Sequence, residues 1–216
     1  SASRATRFVR SMDEPSGQPV LEAEDRARAQ WYALISRLFY APVDSELLQS
    51  LAAGDEEEGD ADASSAFVGA WHALQAACRT VSVETIRDEF EALFGGAGRA
   101  QVTPYTSSYA APHAPDRHLV ELRSQLSEWG LGRRDQIFEV EDHVSAICDA
   151  MRWLIEEGRA LEEQRGFFMA FIDLGMASFC SAIERNPSAD FYRIAGALAG
   201  HFLKIEKEGF ELHSAA

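Results

Sequence analysis

Apolar residues recur at spacings of three and four positions along most of this sequence, and this spacing limits the fold more than any other feature. It places one apolar stripe along an α-helix, whereas a half-buried strand needs strict alternation, of which no convincing run occurs. In the first segment the stripe consists of Trp31, Leu34, Ile35 and Leu38. The pattern predicts an all-α fold, a single-domain helical bundle of about eight helices. The predicted helices cover residues 22–40, 44–53, 64–78, 83–94, 116–130, 139–158, 165–184 and 188–209.

The stretches between these helices carry the glycines and prolines that interrupt periodic patterns. The longest is the loop between the fourth and fifth helices, residues 96–115, and a loop of that length in a compact domain is usually functional or disordered. Residues 54–62 are strongly acidic and predict a solvated loop, because like charges repel on a helix face. Residues 1–20 lack the apolar region of a secretory signal and are predicted to be disordered or tag-like. Residues 21–216 are predicted to form the helical domain.

The net charge narrows the classes of partner. With 20 basic and 35 acidic residues the chain carries −15, which disfavours nucleic acids and anionic membrane surfaces and favours cationic partners. No apolar stretch approaches the roughly 20 residues that cross a bilayer, so stable membrane insertion is not expected. An excess of acidic residues can also have no role other than keeping a protein soluble.

Residues suited to nucleophilic or nucleotide chemistry are sparse. Cys78, Cys148 and Cys180 lie in apolar helical patterns without a CxxC pair, which is typical of buried free thiols in a reducing cytoplasm. The glycine-rich residues 95–99 lack the lysine of a phosphate-binding loop and follow a helix rather than a strand. The sequence therefore predicts a protein that is not an enzyme.

One cluster could ligate a metal. Glu139, Glu141, Asp142 and His143 lie together at a predicted helix start, and Glu139 and His143, four apart, could share a helix face. No second histidine lies four residues from His143, as an HExxH motif requires. Carboxylates in a first helical turn also complement the helix dipole, and this interpretation is favoured over a metal site.

The long loop contains a second cluster, formed by Tyr105, Ser107, Ser108 and Tyr109. Tyrosines beside prolines can anchor a partner, because each offers a flat apolar face and a polar tip. They can also pack against the core and hold the loop in place, and their chemistry alone slightly favours this second interpretation.

Three blocks of sequence form a further pattern. The first joins the end of the fourth helix to the tyrosine loop, the second surrounds the acidic cluster, and the third opens the last helix. The residues of these blocks are 89–94 with 104–109, 139–143 with 151–158, and 191–199. Together they resemble the TorD/DmsD (NarJ-like) family of redox-enzyme maturation chaperones, and they occur in that family's order.

The resemblance implies an all-α cytoplasmic chaperone. Its implied partner is the twin-arginine signal peptide, together with the mature part, of a molybdenum-cofactor oxidoreductase precursor, which it holds for cofactor insertion before export. No cofactor of its own is expected, although the resemblance leaves room for weak guanine-nucleotide binding and for either a monomer or a domain-swapped dimer. By resemblance and position, the signal-peptide-binding residues are predicted to be Tyr105, Ser107, Tyr109, Glu141, Asp142 and His143.

One block departs from the family. Residues 171–175 lack the histidine, proline and tryptophan that the family often shows there, so the sequence names neither subfamily nor client. Two alternatives remain open at this point, a metal-dependent hydrolase centred on Glu139, Glu141, Asp142 and His143, and a general helical adaptor without a peptide groove.

Overall fold

Helices account for most of the structure, a computed structural model that describes residues 8–10, 21–54, 66–95, 100–133 and 140–214. The predicted all-α class is confirmed. The helices are α1 (Ala23–Tyr40), α2 (Ser45–Ala52), α3 (Ala66–Thr80), α4 (Val83–Phe94), α5 (Ser107–Ala110), α6 (Pro115–Glu128), α7 (Val144–Glu156), α8 (Leu161–Phe167), α9 (Asp173–Glu184) and α10 (Phe191–Ser214), with a π-helical turn at Phe168–Ile172 between α8 and α9.

Short polar side chains begin two of these helices. Asp44 caps α2 by accepting a hydrogen bond from the Leu47 backbone N–H at 2.8 Å, as the sequence predicted. Ser82 caps α4 in the same way through the Thr85 N–H at 3.1 Å. Gly130, just after α6, has a φ of 70°, a conformation that favours glycine, and it turns the chain away from the helix.

A two-stranded antiparallel ribbon accompanies the helices. Strand β1 (Phe8–Arg10) pairs with β2 (Leu131–Arg133), with Val9 opposite Gly132. The sequence predicted a glycine- and arginine-rich linker over residues 131–135; its first three residues instead pair as a strand, because backbone groups of β1 lie alongside them. Strand β1 lies within the stretch 1–20 predicted to be disordered or tag-like, and the rest of that stretch is outside the described residues.

The described chain groups into two compact units. The first comprises Ser1–Phe39 and Tyr105–Gly175, and the second Tyr40–Pro104 and Met176–Ala216. In the first unit α7 is buried over nearly its whole length, and aromatic rings from α6 to the π-helical turn pack together. Trp129 contacts Phe167 at 5.3 Å between ring centroids, and Phe167 contacts Phe171 at 5.3 Å.

The second unit is organised around α10, which packs against α3 and α4. Its aromatic core joins Phe90 and Phe94 of α4 to Tyr192 of α10, with centroid distances of 5.6 and 5.2 Å. The Glu89 carboxylate accepts hydrogen bonds from the backbone N–H groups of Asp190, Phe191 and Tyr192, at 2.8, 3.0 and 2.8 Å. A carboxylate at the positive end of a helix is favourable, so Glu89 fixes the start of α10 against α4.

The helical run Leu161–Glu184 is long and apolar enough to span a membrane by length and composition, with half of its most apolar window buried inside the protein. The expectation that no stretch approaches that length is therefore corrected. A core helix of a soluble protein passes the same test, so the run is weak evidence for a membrane span. Within this run Leu174 is 60% exposed and Met169 40% exposed.

Three sequence predictions concern residues that lie outside the described part of the chain. They are the acidic loop at residues 55–62, the glycine-rich residues 96–99, and Glu139 of the metal hypothesis. The helix end predicted at Gly95 is confirmed, because Gly95 follows the last residue of α4.

Candidate functional site

The tyrosine cluster of the long loop forms a short ordered turn rather than an irregular segment. Its residues Ser107–Ala110 form α5, closed by hydrogen bonds from the N–H groups of Tyr109 and Ala110 to the Thr106 carbonyl at 3.0 and 2.9 Å. The predicted irregular loop is corrected here, because four residues are too few for apolar periodicity to reveal a helix. Tyr105 and Tyr109 are both half-buried.

This turn is bound to the residues that precede α7. The backbone N–H of Thr106 donates to the Asp142 carbonyl at 2.9 Å, and the Thr106 hydroxyl donates to the same oxygen at 3.1 Å. The Ser107 hydroxyl donates to the Asp142 carboxylate. Asp142 is 3% exposed and Ser107 5%, so the carboxylate of Asp142 is a buried acceptor that holds the turn.

His143 marks the start of α7. Its Nδ1 lies 3.3 Å from the Ser145 backbone nitrogen, as an N-cap acceptor, and 2.6 Å from the Ser145 hydroxyl. The His143 ring meets the Tyr105 ring edge to face at 5.6 Å, and the two backbones form an antiparallel bridge. The helix predicted from residue 139 thus begins at Val144. A helix face shared by Glu139 and His143 would need residues 140–143 to be helical, and they are not, so the helical-face argument is wrong.

A glycine allows a second element to approach the turn closely. A Cβ on Gly175 would lie 2.8 Å from the Thr106 Cβ and 3.1 Å from the Thr106 carbonyl oxygen. Real Cβ atoms essentially never approach another atom to 2.8 Å, so with any larger residue the start of α9 or Thr106 would have to shift. Gly175 belongs to the block that departs from the family pattern.

Glu141 differs from Asp142 in what it can reach. Its carboxylate oxygen Oε2 accepts from Arg123 of α6, at 3.0 Å from Nε and 2.9 Å from Nη2. The Glu141 side chain is 15% exposed and the Arg123 side chain 48%. Of the two site carboxylates, Glu141 is therefore the one whose partner faces solvent.

The structure brings all six predicted site residues into one place in the first unit. It adds Thr106, Ser145, Gly175 and Arg123, which the sequence reasoning did not single out. Thr106 and Ser145 lie beside predicted residues in sequence, so their hydroxyls were a usable signal. Arg123 lies 18 positions from Glu141, and no local pattern predicts that pair.

The groups that metal and thiol chemistry would use are the next feature of the described residues. Across the described residues no three His, Cys, Asp or Glu side chains cluster closely enough to hold a metal ion. The three cysteines are buried, and burial raises the pKa of the Cys180 thiol to about 12 and that of Cys78 to about 11. Thiols held protonated in this way are poor nucleophiles.

Exposed apolar side chains lie on the same unit as the site. Met169 and Leu174 project from the π-helical turn and the start of α9, and Val120 from α6, with exposures of 40%, 60% and 61%. Gly166 and Ala170 are exposed as well, at steps of four residues before Leu174. The run from Gly166 to Leu174 therefore exposes small and apolar residues.

Comparison with known proteins gives two findings. Residues 60–181 match the family described as "Nitrate reductase delta subunit", and this match covers more than half of the chain. The curated protein "Chaperone protein TorD" of Shewanella loihica (strain ATCC BAA-1088 / PV-4) is 21% identical over 199 residues, spanning 85% of this chain and 93% of that protein.

Proposed function

Because the chain belongs to the nitrate reductase delta subunit family, the TorD/NarJ-like redox-enzyme maturation chaperones, we propose that it binds the twin-arginine signal peptide of a molybdenum-cofactor oxidoreductase precursor. It holds that precursor in the cytoplasm for cofactor insertion and assembly before export. The chain is a chaperone and not an enzyme.

The observation that carries this proposal is the joining of the tyrosine turn to Glu141–His143. The turn that carries the half-buried Tyr105 and Tyr109 is bonded to Asp142, and the preceding residue, Glu141, has an arginine partner that faces solvent. A guanidinium pairs with a carboxylate in a directional way, and aromatic faces accept the apolar or cationic groups of a peptide. A twin-arginine signal offers both kinds of group.

Asp142 and His143 enter this proposal as positioning residues. Both are almost fully buried, at 3% and 5% exposure, and both are engaged with Ser107, Ser145 or Tyr105. They hold the turn and the start of α7 in one arrangement. Removing either would therefore weaken peptide binding through the turn, not through a lost contact with the client.

The apolar half of a leader peptide needs apolar surface on the chaperone. Leu174 and Met169 supply it on the same unit, and a net charge of −15 attracts the cationic end. Surfaces that combine an apolar face with opposite charge at its edge are a recurrent way of binding amphipathic peptides.

A matched pair of variants tests the apolar contact. We expect Leu174→Ser to weaken binding of a fluorescent peptide, with two adjacent arginines followed by about ten leader-like apolar residues, by about three- to tenfold. Complete burial of a leucine side chain contributes roughly 1.5–3 kcal/mol of free energy. A leucine that the peptide covers only in part contributes less. Leu212→Ser, at 73% exposure on α10, should leave fluorescence anisotropy titrations unchanged. Equal loss from both variants would contradict a contact at Leu174.

Affinity capture from the native cytoplasm tests the client class. The proposal predicts that the purified chain retains a molybdenum oxidoreductase precursor with its leader attached. Retention of an unrelated scaffold protein instead would support the adaptor alternative and count against the chaperone's proposed client.

A further inference from the structure

The site carboxylate that a client could reach is already occupied by an arginine of the same chain. Arg123 places Nε and Nη2 at 3.0 and 2.9 Å from Glu141 Oε2. The pair shows that a guanidinium fits at Glu141, because one is seated there with two donors on the carboxylate.

The neighbouring carboxylate, that of Asp142, has no room for a guanidinium without rearrangement. Asp142 is 3% exposed and accepts the hydroxyl of Ser107 while its carbonyl accepts two bonds from Thr106. Opening it to a ligand would break the bonds that hold the turn. Glu141 needs no such rearrangement, because the Arg123 side chain is 48% exposed and can leave toward solvent.

We infer that Glu141 is the position that receives a guanidinium of the client, and that Arg123 is the resident guanidinium displaced on binding. This inference rests on the proposed function. The exchange conserves the number of ion pairs at Glu141, since one guanidinium replaces another. Arg123 thus lowers the affinity for the client by the free energy of the pair it gives up, and it recaptures Glu141 when the client departs.

The consequence is a gain of affinity when the competitor is removed. With Arg123→Gln, Glu141 is unpaired before the peptide arrives, so the Kd for the twin-arginine peptide should fall about two- to fivefold, the range expected for an ion pair with an exposed partner. Glu141→Gln should raise the Kd, and adding Arg123→Gln to it should give no gain, because the shared acceptor is gone.

A second arginine of α6, Arg117, provides a matched control. Arg117 pairs with Glu121 at 3.0 Å, with side chains 82% and 52% exposed, and Arg117→Gln changes the net charge by the same single unit. It should leave the Kd unchanged. An equal gain from Arg117→Gln and Arg123→Gln would overturn the inference, because a general charge effect would then explain both.

Fluorescence anisotropy with the full chain and the synthetic twin-arginine peptide separates the outcomes. A gain confined to Arg123→Gln, and absent beside Glu141→Gln, supports the exchange. Peptide binding that Arg123→Gln leaves unchanged or weakens overturns the exchange while the proposed function stands. No binding by the wild-type chain overturns the proposed function itself.

If Arg123→Gln fails to fold, Arg123→Lys is the variant that tests the inference. It should tighten peptide binding by less than Arg123→Gln would, because lysine pairs with Glu141 as a point charge. An unchanged or weaker affinity of Arg123→Lys for the peptide overturns the inference.

Discussion

At the scale of single residues, the site depends on a few buried polar contacts and one close approach. Ser107 donates to Asp142, Thr106 donates twice to the Asp142 carbonyl, and Gly175 leaves room for Thr106. A buried carboxylate that loses a donor keeps its desolvation cost without compensation. These contacts are therefore worth more to stability than their number suggests.

Ser107→Ala removes the hydroxyl donor from the buried Asp142 carboxylate. We expect the free energy of unfolding to fall by about 1–3 kcal/mol, measured by urea denaturation. Ser108→Ala, one residue along and exposed, should change it by less than about 0.5 kcal/mol. Similar values for the two serines would show that the Ser107–Asp142 bond does not hold the turn.

Two glycines of the same helical run should respond to alanine with opposite signs. Gly175→Ala sets a Cβ against Thr106 and should destabilise the fold by about 1–3 kcal/mol through overpacking. Gly166→Ala meets nothing within 4 Å and should stabilise α8 by about 0.5–1 kcal/mol, because alanine loses less backbone entropy in a helix. Thermal unfolding of both variants gives the two signs; a Gly175→Ala protein as stable as wild type would contradict the close approach.

At the scale of elements, helix ends decide how the segments meet. Glu89 of α4 accepts from the N–H groups of Asp190, Phe191 and Tyr192 at the start of α10, so one side chain links two helices of the second unit. This cap is distant in sequence from the helix that it serves, unlike the local caps Asp44 and Ser82.

Glu89→Ala leaves three N–H groups of α10 without their acceptor. The free energy of unfolding should fall by about 1–3 kcal/mol, combining the loss of a cap and of a charge at a helix N-terminus. Glu89→Gln should lose less, since one oxygen remains to accept. Asp88→Ala, at an exposed neighbouring position, is the control. Denaturant titration measures the free energy of unfolding of both variants. A loss for Asp88→Ala as large as that for Glu89→Ala would refute the cap.

The elements also show what the sequence can predict. Apolar periodicity identified the long helices, and Asp44 and Gly95 gave correct ends, because those signals are local. The start of α7 was missed by several residues because His143 is an uncommon N-cap. The run around Leu174 is apolar on nearly all sides, so periodicity alone does not give it one inward face. Which side meets solvent depends on tertiary contacts such as Gly175 against Thr106, and these leave no periodic trace.

The site was predictable in part for the same reason. Tyr105 and His143 were identified in separate blocks of sequence, and the structure joins them. Their burial was not predictable: Asp142, predicted to bind the signal peptide, is buried and accepts the Ser107 hydroxyl of the turn. The Arg123–Glu141 pair required the fold, since its members lie on different elements.

At the scale of the whole molecule, the chain is an acidic helical chaperone, and we propose that its first unit offers a client both the Glu141 carboxylate and exposed apolar side chains. On this proposal a net charge of −15 draws a cationic leader toward the chain, and added salt weakens that attraction by screening. The proposed pairing at Glu141 would then distinguish arginine from lysine, because two guanidinium donors can share the carboxylate.

Calorimetric titration of the intact chain with a twin-arginine leader peptide and its twin-lysine counterpart tests this claim most directly. The two peptides have equal charge and the same apolar residues, so only the guanidinium differs. We expect the arginine peptide to bind about five- to thirtyfold more tightly, as about 1–2 kcal/mol of charge-assisted pairing implies, and both affinities to fall as salt rises. Equal affinity for the two peptides, or binding of neither, would contradict it.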